Sequence, residues 1–205
     1  MKPYITVKAF ASEEYETKKS RFIGYAAPVE NEAEAVSFID SIRQKHRDAT
    51  HNVYAYSLRT GQLKRYSDDG EPQGTAGLPV LDVLLKGEIT DCAVVVTRYF
   101  GGTLLGTGGL VRAYSHTASI AVQSAQISTK RPWKLLSLEC DYSFYGKISS
   151  LVPEHGGNVI SSDFGGAVEL TFRIPEENTA AFNAALTEAS NGRLICGVLG
   201  DEFDF

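Results

Sequence analysis

The chain of 205 residues is 43% hydrophobic and 22% charged, a composition typical of a soluble globular protein with one large or two modest domains. Its formal net charge of −5 argues against a general nucleic-acid-binding protein, and no apolar run approaches the roughly 18 residues that a membrane helix needs. The first residues contain no apolar segment of a secretory signal, which predicts a cytoplasmic protein that contacts no membrane.

Charge is distributed unevenly along the chain. Residues 1–132 have a net charge of +2, whereas residues 133–205 have a net charge of −7. This asymmetry predicts two domains, 1–132 and 133–205, and we expect any polyanion to meet the first of them.

Hydrophobic periodicity and turn residues indicate the elements of the first domain. A helix is predicted to start at Asn31, because Glu34 three positions later completes a capping-box pattern. The β-branched run 92–97 predicts a strand buried on both faces, and the polar segment 13–20 is the predicted connection between the first two strands. Strands are predicted at 4–10, 21–29, 51–58, 63–66 and 92–97, and further helices at 75–85 and 110–126.

The second domain follows a predicted break at 130–132. Its predicted element order, β-α-β-β-α-β, is that of the ferredoxin-like split βαβ fold, so the fold class predicted for the whole chain is α+β. Its strands are predicted at 133–142, 158–164, 167–174 and 193–199, and its helices at 144–155 and 176–190.

A glycine-rich stretch, 98–112, follows the buried strand and opens a helix. Unpaired amides at a helix N-terminus, together with the helix dipole, attract phosphate or carboxylate groups. The motif lacks the Gly-Lys-Ser/Thr ending of a P-loop and the βαβ context of a dinucleotide fingerprint. The alternative is that the glycines form a tight strand-to-helix connection packed against the sheet. The predicted anion-binding residues are Arg98, Gly101, Gly102, Thr103, Gly106, Thr107, Gly108, Gly109 and Arg112.

Three carboxylates, Asp68, Asp69 and Glu71, occupy four positions of a loop rich in glycine and proline. Such a cluster could hold Mg²⁺ or supply a proton-transfer carboxylate, which makes these residues the candidate catalytic groups. The turn chemistry favours a structural role instead, in which aspartate accepts local amide hydrogen bonds and caps the next helix. A salt link between this loop and Arg98 is a further interpretation. We predict neither a metal nor a cofactor.

Basic and aromatic residues also occur together in the first domain. Arg98 precedes Tyr99 and Phe100, and Lys64 and Arg65 precede the acidic loop. A cation beside aromatic rings suits a single-stranded base and its phosphate, so we predict nucleic-acid binding by these residues. The alternative is that the rings fill the core and the cations form an ordinary solvated face.

Other chemical signals are weak. His46 and His51, with Asp48 between them, could ligate a metal, but their spacing across a helix end is not diagnostic. No serine occupies a G-x-S-x-G elbow, and no cysteine has a nearby histidine to activate it. The sequence therefore contains no recognisable nucleophile motif.

Two long motifs resemble those of the Impact family. They are Ser-Asp-Asp-Gly-Glu-Pro-x-Gly-Thr-Ala-Gly at 67–77 and Arg-Tyr-Phe-Gly-Gly-x-x-Leu-Gly-x-Gly-Gly-Leu at 98–110. Segments 18–22 and 48–56 match the family pattern as well, so the resemblance covers essentially the whole chain. It implies an N-terminal domain with the fold of ribosomal protein S5 domain 2. It also implies a C-terminal ferredoxin-like domain similar to the last domain of elongation factor G.

The resemblance carries functional expectations too. Eukaryotic members act in translational control, where they restrain the starvation-sensing initiation-factor kinase by competing for its activator protein. Bacterial members lack that kinase pathway, and the tail domain predicted here is of the bacterial type. Small-molecule kinases of the same superfold grip phosphate with a glycine-rich loop, but 106–109 lacks the serines of that loop.

We therefore expect a regulator that associates with RNA, the ribosome or a translation-related protein and that does not catalyse a reaction. One alternative is an enzyme that acts on a nucleotide or phosphorylated small molecule at the glycine-rich loop. Another is a protein-binding adaptor that uses the hairpin edge of the acidic second domain.

Overall fold

The computed structural model describes all residues, Met1–Phe205, and contains ten β-strands and five α-helices. The fold class is α+β, as predicted. The chain divides into two compact units, one of residues 4–129 and one of residues 1–3 with 130–205. None of the helices is both long enough and apolar enough to cross a membrane.

The first unit is built on a five-stranded antiparallel sheet. The strand order is β2-β3-β6-β4-β5, so β6 lies in the middle with β3 and β4 beside it. A short strand, β1 (Tyr4–Val7), forms a bridge from Ile5 to Ile89. The strands of the sheet are β2 (Ala11–Thr17), β3 (Ser20–Pro28), β4 (His51–Ser57), β5 (Lys64–Ser67) and β6 (Cys92–Tyr99).

Helices cover both faces of this sheet. One face packs against α1 (Glu32–Lys45), and the other packs against α2 (Gly77–Lys86) and α3 (Thr107–Ser124). Side chains of β6 alternate between the two cores, with Val94 and Val96 towards α2 and α3 and Ala93 and Val95 towards α1. The prediction of a strand buried on both faces is therefore confirmed for β6.

Helix α1 begins where its cap predicts. Asn31 is the N-cap, and its side-chain oxygen accepts a hydrogen bond from the Glu34 amide at 3.0 Å. The Glu34 carboxylate accepts in return from the Glu30 amide at 2.8 Å and from the Asn31 side-chain amide at 2.6 Å. This reciprocal arrangement satisfies amides that the first helical turn leaves unpaired.

The second unit contains the predicted order β-α-β-β-α-β. Its strands form an antiparallel sheet with β10, β7, β9 and β8 in that order, and the core includes Phe172 and Phe182. The unit division falls inside β7, between residues 129 and 130. The elements are β7 (Ile127–Cys140), α4 (Tyr142–Glu154), β8 (Asn158–Phe164), β9 (Val168–Pro175), α5 (Thr179–Ser190) and β10 (Gly197–Asp204).

Three boundaries differ from the sequence-based expectations. The polar segment 13–20 is largely a strand, β2, joined to β3 by a two-residue turn at Lys18 and Lys19 with positive φ angles of 46° and 65°. The secondary structure is not interrupted at 130–132 as predicted, because β7 runs through these residues. The last strand begins at Gly197, later than predicted, since a left-handed Asn191 ends α5 and a connection follows.

Candidate anion and nucleic-acid site

A pocket of about 440 Å³ lies in the first unit where the acidic loop meets the glycine-rich loop. Its lining surface is mainly apolar, with a few charged and hydroxyl side chains, and such a pocket suits a ligand with a flat apolar part. The side chains that matter for its chemistry are His51, Glu71, Arg98, Phe100, Leu104 and Thr107.

Strand register brings the charged residues of the pocket together. Arg98 on β6 is directly opposite Phe22 on β3 and directly opposite His51 on β4. Directly opposed residues of antiparallel strands project from the same face of the sheet. The three side chains therefore form a row across neighbouring strands, on the face that α2 and α3 cover.

Arg98 is the central side chain of this row. Its Nη1 donates to Oε1 of Glu71 at 2.6 Å, and only 6% of the arginine side chain is exposed. The guanidinium carbon lies 5.5 Å from the centre of the Phe22 ring and 5.3 Å from that of Phe100. The Nε–H group is buried and has no acceptor. Nη2 donates to the Ser20 hydroxyl at 3.5 Å, so Nε is the guanidinium nitrogen without a partner. The salt link inferred from the sequence is thus present.

Glu71 is held by a second donor. The Tyr114 hydroxyl on α3 donates to the same Oε1 at 2.8 Å. Burial, and then the charge of Glu71, raise the pKa of Tyr114 above its ordinary value. Tyr114 therefore stays protonated and acts as a hydrogen-bond donor that joins α3 to the acidic loop.

Asp68 has the structural role that turn chemistry favours. Its Oδ2 accepts from the Gly74 amide at 2.9 Å, and its Oδ1 accepts from the Ala76 and Gly77 amides at 3.1 and 2.8 Å. It thereby caps α2, whose nominal N-cap residue, Ala76, has no side chain able to do so.

Asp69 fixes the position of His51. The Asp69 carboxylate accepts from the Asn52 amide at 2.6 Å and from Arg43 at 3.3 Å, while its backbone oxygen lies 2.7 Å from Nδ1 of His51. A carbonyl can only accept, so Nδ1 carries the hydrogen and Nε2 is left facing Glu71, whose Oε2 is 3.9 Å away. No group of three or more His, Cys, Asp or Glu side chains has an arrangement that could hold a metal ion.

The glycine-rich loop contains a close-packed glycine and the start of α3. A Cβ on Gly101 would overlap the backbone of Lys19, so this glycine permits close packing against the β2–β3 turn. Gly106, with a φ of 74°, stands at the N-cap of α3, where no side chain caps the helix. Gly106 and Thr107 line the pocket, so the N-terminus of α3 lies at the pocket.

The structure places several predicted site residues away from the pocket. Tyr99 points to the opposite face of the sheet, where its hydroxyl lies 2.8 Å from Nδ1 of His46 and donates to Asp48 at 3.2 Å. Lys64 and Arg65 lie on the edge strand β5. The other residues that do not line the pocket are Gly101, Gly102, Thr103, Gly108, Gly109 and Arg112.

The sequence places neither His51 nor Tyr114 in this site. His51 was grouped with His46, yet the two rings occupy opposite faces of the sheet. His46 ends α1, whereas His51 begins β4, and the position of His51 opposite Arg98 depends on strand register.

Comparison with known proteins agrees with the motifs. The model of the Impact N-terminal domain matches residues 18–122, and that of the Domain of unknown function (DUF1949) matches residues 138–193. The chain is 38% identical over 191 residues to the IMPACT family member YvyE of Bacillus subtilis, covering 93% of this chain and 88% of the relative. The chain belongs to the Impact family.

Another relative and a solved structure are similar to the chain along most of their length. The member YigZ of Escherichia coli is 38% identical over 182 residues, covering 87% of this chain and 89% of the relative. A crystal structure described as that of a hypothetical protein has a TM-score of 0.62 and 35% identity, with 98% of each chain covered. Both long motifs, 67–77 and 98–110, fall inside the matched Impact N-terminal domain.

Proposed function

We propose that this protein binds RNA at the pocket of its first unit and acts in the cytoplasm as an RNA- or ribosome-associated regulator of translation, without catalysing a reaction. The observation that carries the proposal is the position of Phe100. Its ring is 45% exposed at the pocket and lies 5.3 Å from the guanidinium carbon of Arg98. An exposed ring backed by a cation is a platform on which an unpaired base stacks.

The pocket also offers a place for the phosphate next to such a base. The N-terminus of α3, which no side chain caps, has free amides near the hydroxyl of Thr107. Thr50 and His51, at the start of β4, line the pocket as well. Helix N-terminal amides and hydroxyls are common partners of phosphate oxygens. A base on Phe100 and a phosphate near Thr107 would fill the pocket with one nucleotide.

Charge supports an RNA backbone beyond the pocket. The exposed Lys18 and Lys19 form the turn that packs against Gly101, one residue after Phe100. Residues 1–132 are net positive, in contrast to the rest of the chain. Cations at this turn would contact the phosphates that flank the bound nucleotide.

Binding is favoured over catalysis because the carboxylates of the site already have partners within the protein. Asp68 caps α2, Asp69 holds the Asn52 amide, and Glu71 is paired with Arg98 and Tyr114. A general base must reach a substrate proton, and these groups are committed to the protein itself. They organise the pocket.

The test is binding of the full chain to single-stranded RNA and to purified ribosomes over a range of salt concentrations. We expect an affinity that falls steeply with salt, since phosphate contacts release counterions. Retention that does not depend on salt, or no retention on either, would exclude the proposal.

A second candidate is an enzyme that acts on a nucleotide or a phosphorylated small molecule. It is favoured by His51, a residue of the pocket lining, whose Nδ1 donates to the Asp69 carbonyl and whose Nε2 carries no hydrogen and lies 3.9 Å from Oε2 of Glu71. This is the orientation expected of a general base. It predicts that a mononucleotide is converted by the wild-type chain and merely bound by His51→Gln, whereas the binding proposal predicts no conversion by either.

The domain folds are proposals as well. We infer that domain 1–132 has the fold of ribosomal protein S5 domain 2 and that domain 133–205 is ferredoxin-like, similar to the last domain of elongation factor G. The second inference is supported by the antiparallel strand order β10-β7-β9-β8. Both folds occur in proteins that contact ribosomal RNA, in keeping with the proposed function.

A further inference from the structure

The second unit has an open sheet edge at β8. Strand β9 pairs with β8 on one side, and the sheet ends there, so the outer amides and carbonyls of β8 have no strand beside them. Ile160 and Phe164 of this strand are each more than half exposed. Such an edge is a template onto which an extended segment can add as a further strand.

Three carboxylates form a row that ends at this edge. Glu139 on β7 is directly opposite Glu169 on β9, and Glu169 is directly opposite Asp163 on β8. Directly opposed side chains share a face with Cβ atoms about 5 Å apart, where like charges are unfavourable. None of the three forms an ion pair within the chain, and all are exposed. The row therefore lacks a cation.

Near the opposite edge of the same sheet, the carboxylates form ion pairs with cations of the chain itself. Asp201 on β10 lies 2.6 Å from Lys134, and Arg173 pairs with Glu202 at 3.0 Å and with Asp204 at 2.6 Å. At the β8 edge, in contrast, the carboxylates are unpaired and the row ends at Asp163. The next position of the row would belong to a residue of an added strand.

We propose that the outer edge of β8 binds an extended basic segment of a partner protein, which adds to the sheet and places a Lys or Arg beside Asp163. A bulge at Ile160 interrupts the register, so regular pairing runs along 161–164. The cation extends the row Glu139–Glu169–Asp163 and gives Asp163 a neighbour of opposite charge on the side away from Glu169.

The other face of the added strand meets a different surface. Phe164 is opposite the buried Val168, on the helix-covered face, and its ring lies 5.2 Å from that of Tyr145 and 6.3 Å from that of Tyr142. Side chains of a strand alternate between faces. The segment that fits β8 therefore alternates basic residues with apolar ones.

Charge decides between a partner and a second copy of this chain. Residues 133–205 have a net charge of −7, so two copies joined at β8 would bring two strongly acidic units together. A basic partner is attracted by the same charge.

The probe for this surface is a fluorescent eight-residue peptide of alternating Lys and Val, titrated into the full chain. A second peptide of the same sequence has N-methylated backbone amides. It keeps the charge but lacks the amide donors that would pair with β8. Asp163→Asn and Glu169→Gln each remove one carboxylate charge from the row. Glu188→Gln on α5 is the matched control, because it removes an exposed charge from another part of the unit.

We expect the unmethylated peptide to bind, with a dissociation constant raised about two- to five-fold by Asp163→Asn and by Glu169→Gln and unchanged by Glu188→Gln. Absence of binding would overturn the proposal. Equal binding of the methylated peptide, or equal weakening by Glu188→Gln, would show general charge attraction and overturn it too. A dimer formed by the chain alone and broken by Asp163→Lys would identify a second copy as the occupant. RNA binding by the Asp163→Asn variant, measured in parallel, reports separately on the function proposed above.

Discussion

Glu71 and Arg98 form an ion pair inside the first unit, with 2.6 Å between Oε1 and Nη1 and with only 4% and 6% of the two side chains exposed. The pair joins the acidic loop to the end of β6. The Tyr114 hydroxyl on α3 donates a hydrogen bond to the same carboxylate oxygen. One buried contact thus links the two long motifs and forms a wall of the pocket.

Removing one member of this pair should destabilise the fold strongly. Glu71→Gln leaves the Arg98 charge buried without a counter-charge, so we expect the free energy of unfolding to fall by roughly 3 kcal/mol. Urea unfolding followed by circular dichroism measures this change.

Two variants check that the cause is the buried charge. Glu14→Gln removes a carboxylate whose pair with Arg21 is exposed, and it should leave the unfolding midpoint almost unchanged. The double variant Glu71→Leu/Arg98→Met removes both charges and should be more stable than Glu71→Gln. A double variant as unstable as the single one would argue for lost packing.

The cap that Asp68 supplies to α2 should be measurable as well. Asp68→Ala removes the acceptor of three backbone amides, and we expect a loss of about 1–2 kcal/mol of stability. Asp82→Ala, within the same helix, is the control because it changes the same residue type outside the cap. Equal stability of the two variants would contradict the capping role.

Phe100 should matter for RNA and little for folding. Phe100→Ala removes the proposed stacking surface, so the affinity for a short single-stranded RNA should fall by about 1 kcal/mol or more, roughly five-fold in Kd. Tyr66→Ala removes an aromatic ring of similar exposure, 47%, from β5 and should retain wild-type affinity. Fluorescence anisotropy with both variants decides whether stacking is specific to the pocket.

Much of the fold could be predicted where a single local rule decides the structure. The Asn31–Glu34 pattern gave the start of α1, and the β-branched run gave β6, because a cap and a doubly buried strand leave local signatures. Strand β2 has no such signature, since only Ala11 and Tyr15 pack against the core cluster and its turn uses Lys18 and Lys19 where Asn or Gly is usual.

The candidate site could be predicted only in part. The density of glycine and proline indicated both loops. The opposite charges of the acidic loop and Arg98 indicated a salt link between them. The pairing of Arg98 with His51 and Phe22 depends on register between strands distant in sequence, which tertiary packing decides. Tyr99, one residue from Arg98, lies on the far face of the sheet because successive side chains of a strand alternate between faces.

The turn between β2 and β3 should contribute to the salt dependence of RNA binding. Lys19→Asn removes a charge and keeps a residue type that tolerates the local φ of 65°. We expect the slope of log Kd against log salt concentration to decrease by about 0.7, the value for one contact to a single strand. Lys64→Asn on β5 removes the same charge away from the pocket and should leave the slope unchanged. Equal effects of both substitutions would indicate diffuse attraction.

His46 should make the stability of the first unit sensitive to acid. Its ring is buried between Tyr25 and Tyr99, and burial lowers its pKa in the folded state, with Lys45 and Arg21 acting in the same direction and Asp48 against it. The unfolded chain then binds the proton more tightly, so the stability from neutral His46 is present above about pH 6.5 and is lost as the pH falls towards the folded-state pKa. Urea unfolding at pH 8 and pH 5 should show a smaller loss for His46→Gln than for His116→Gln, which removes an exposed imidazole on α3. Equal losses in the two variants would mean that acid acts on the fold elsewhere.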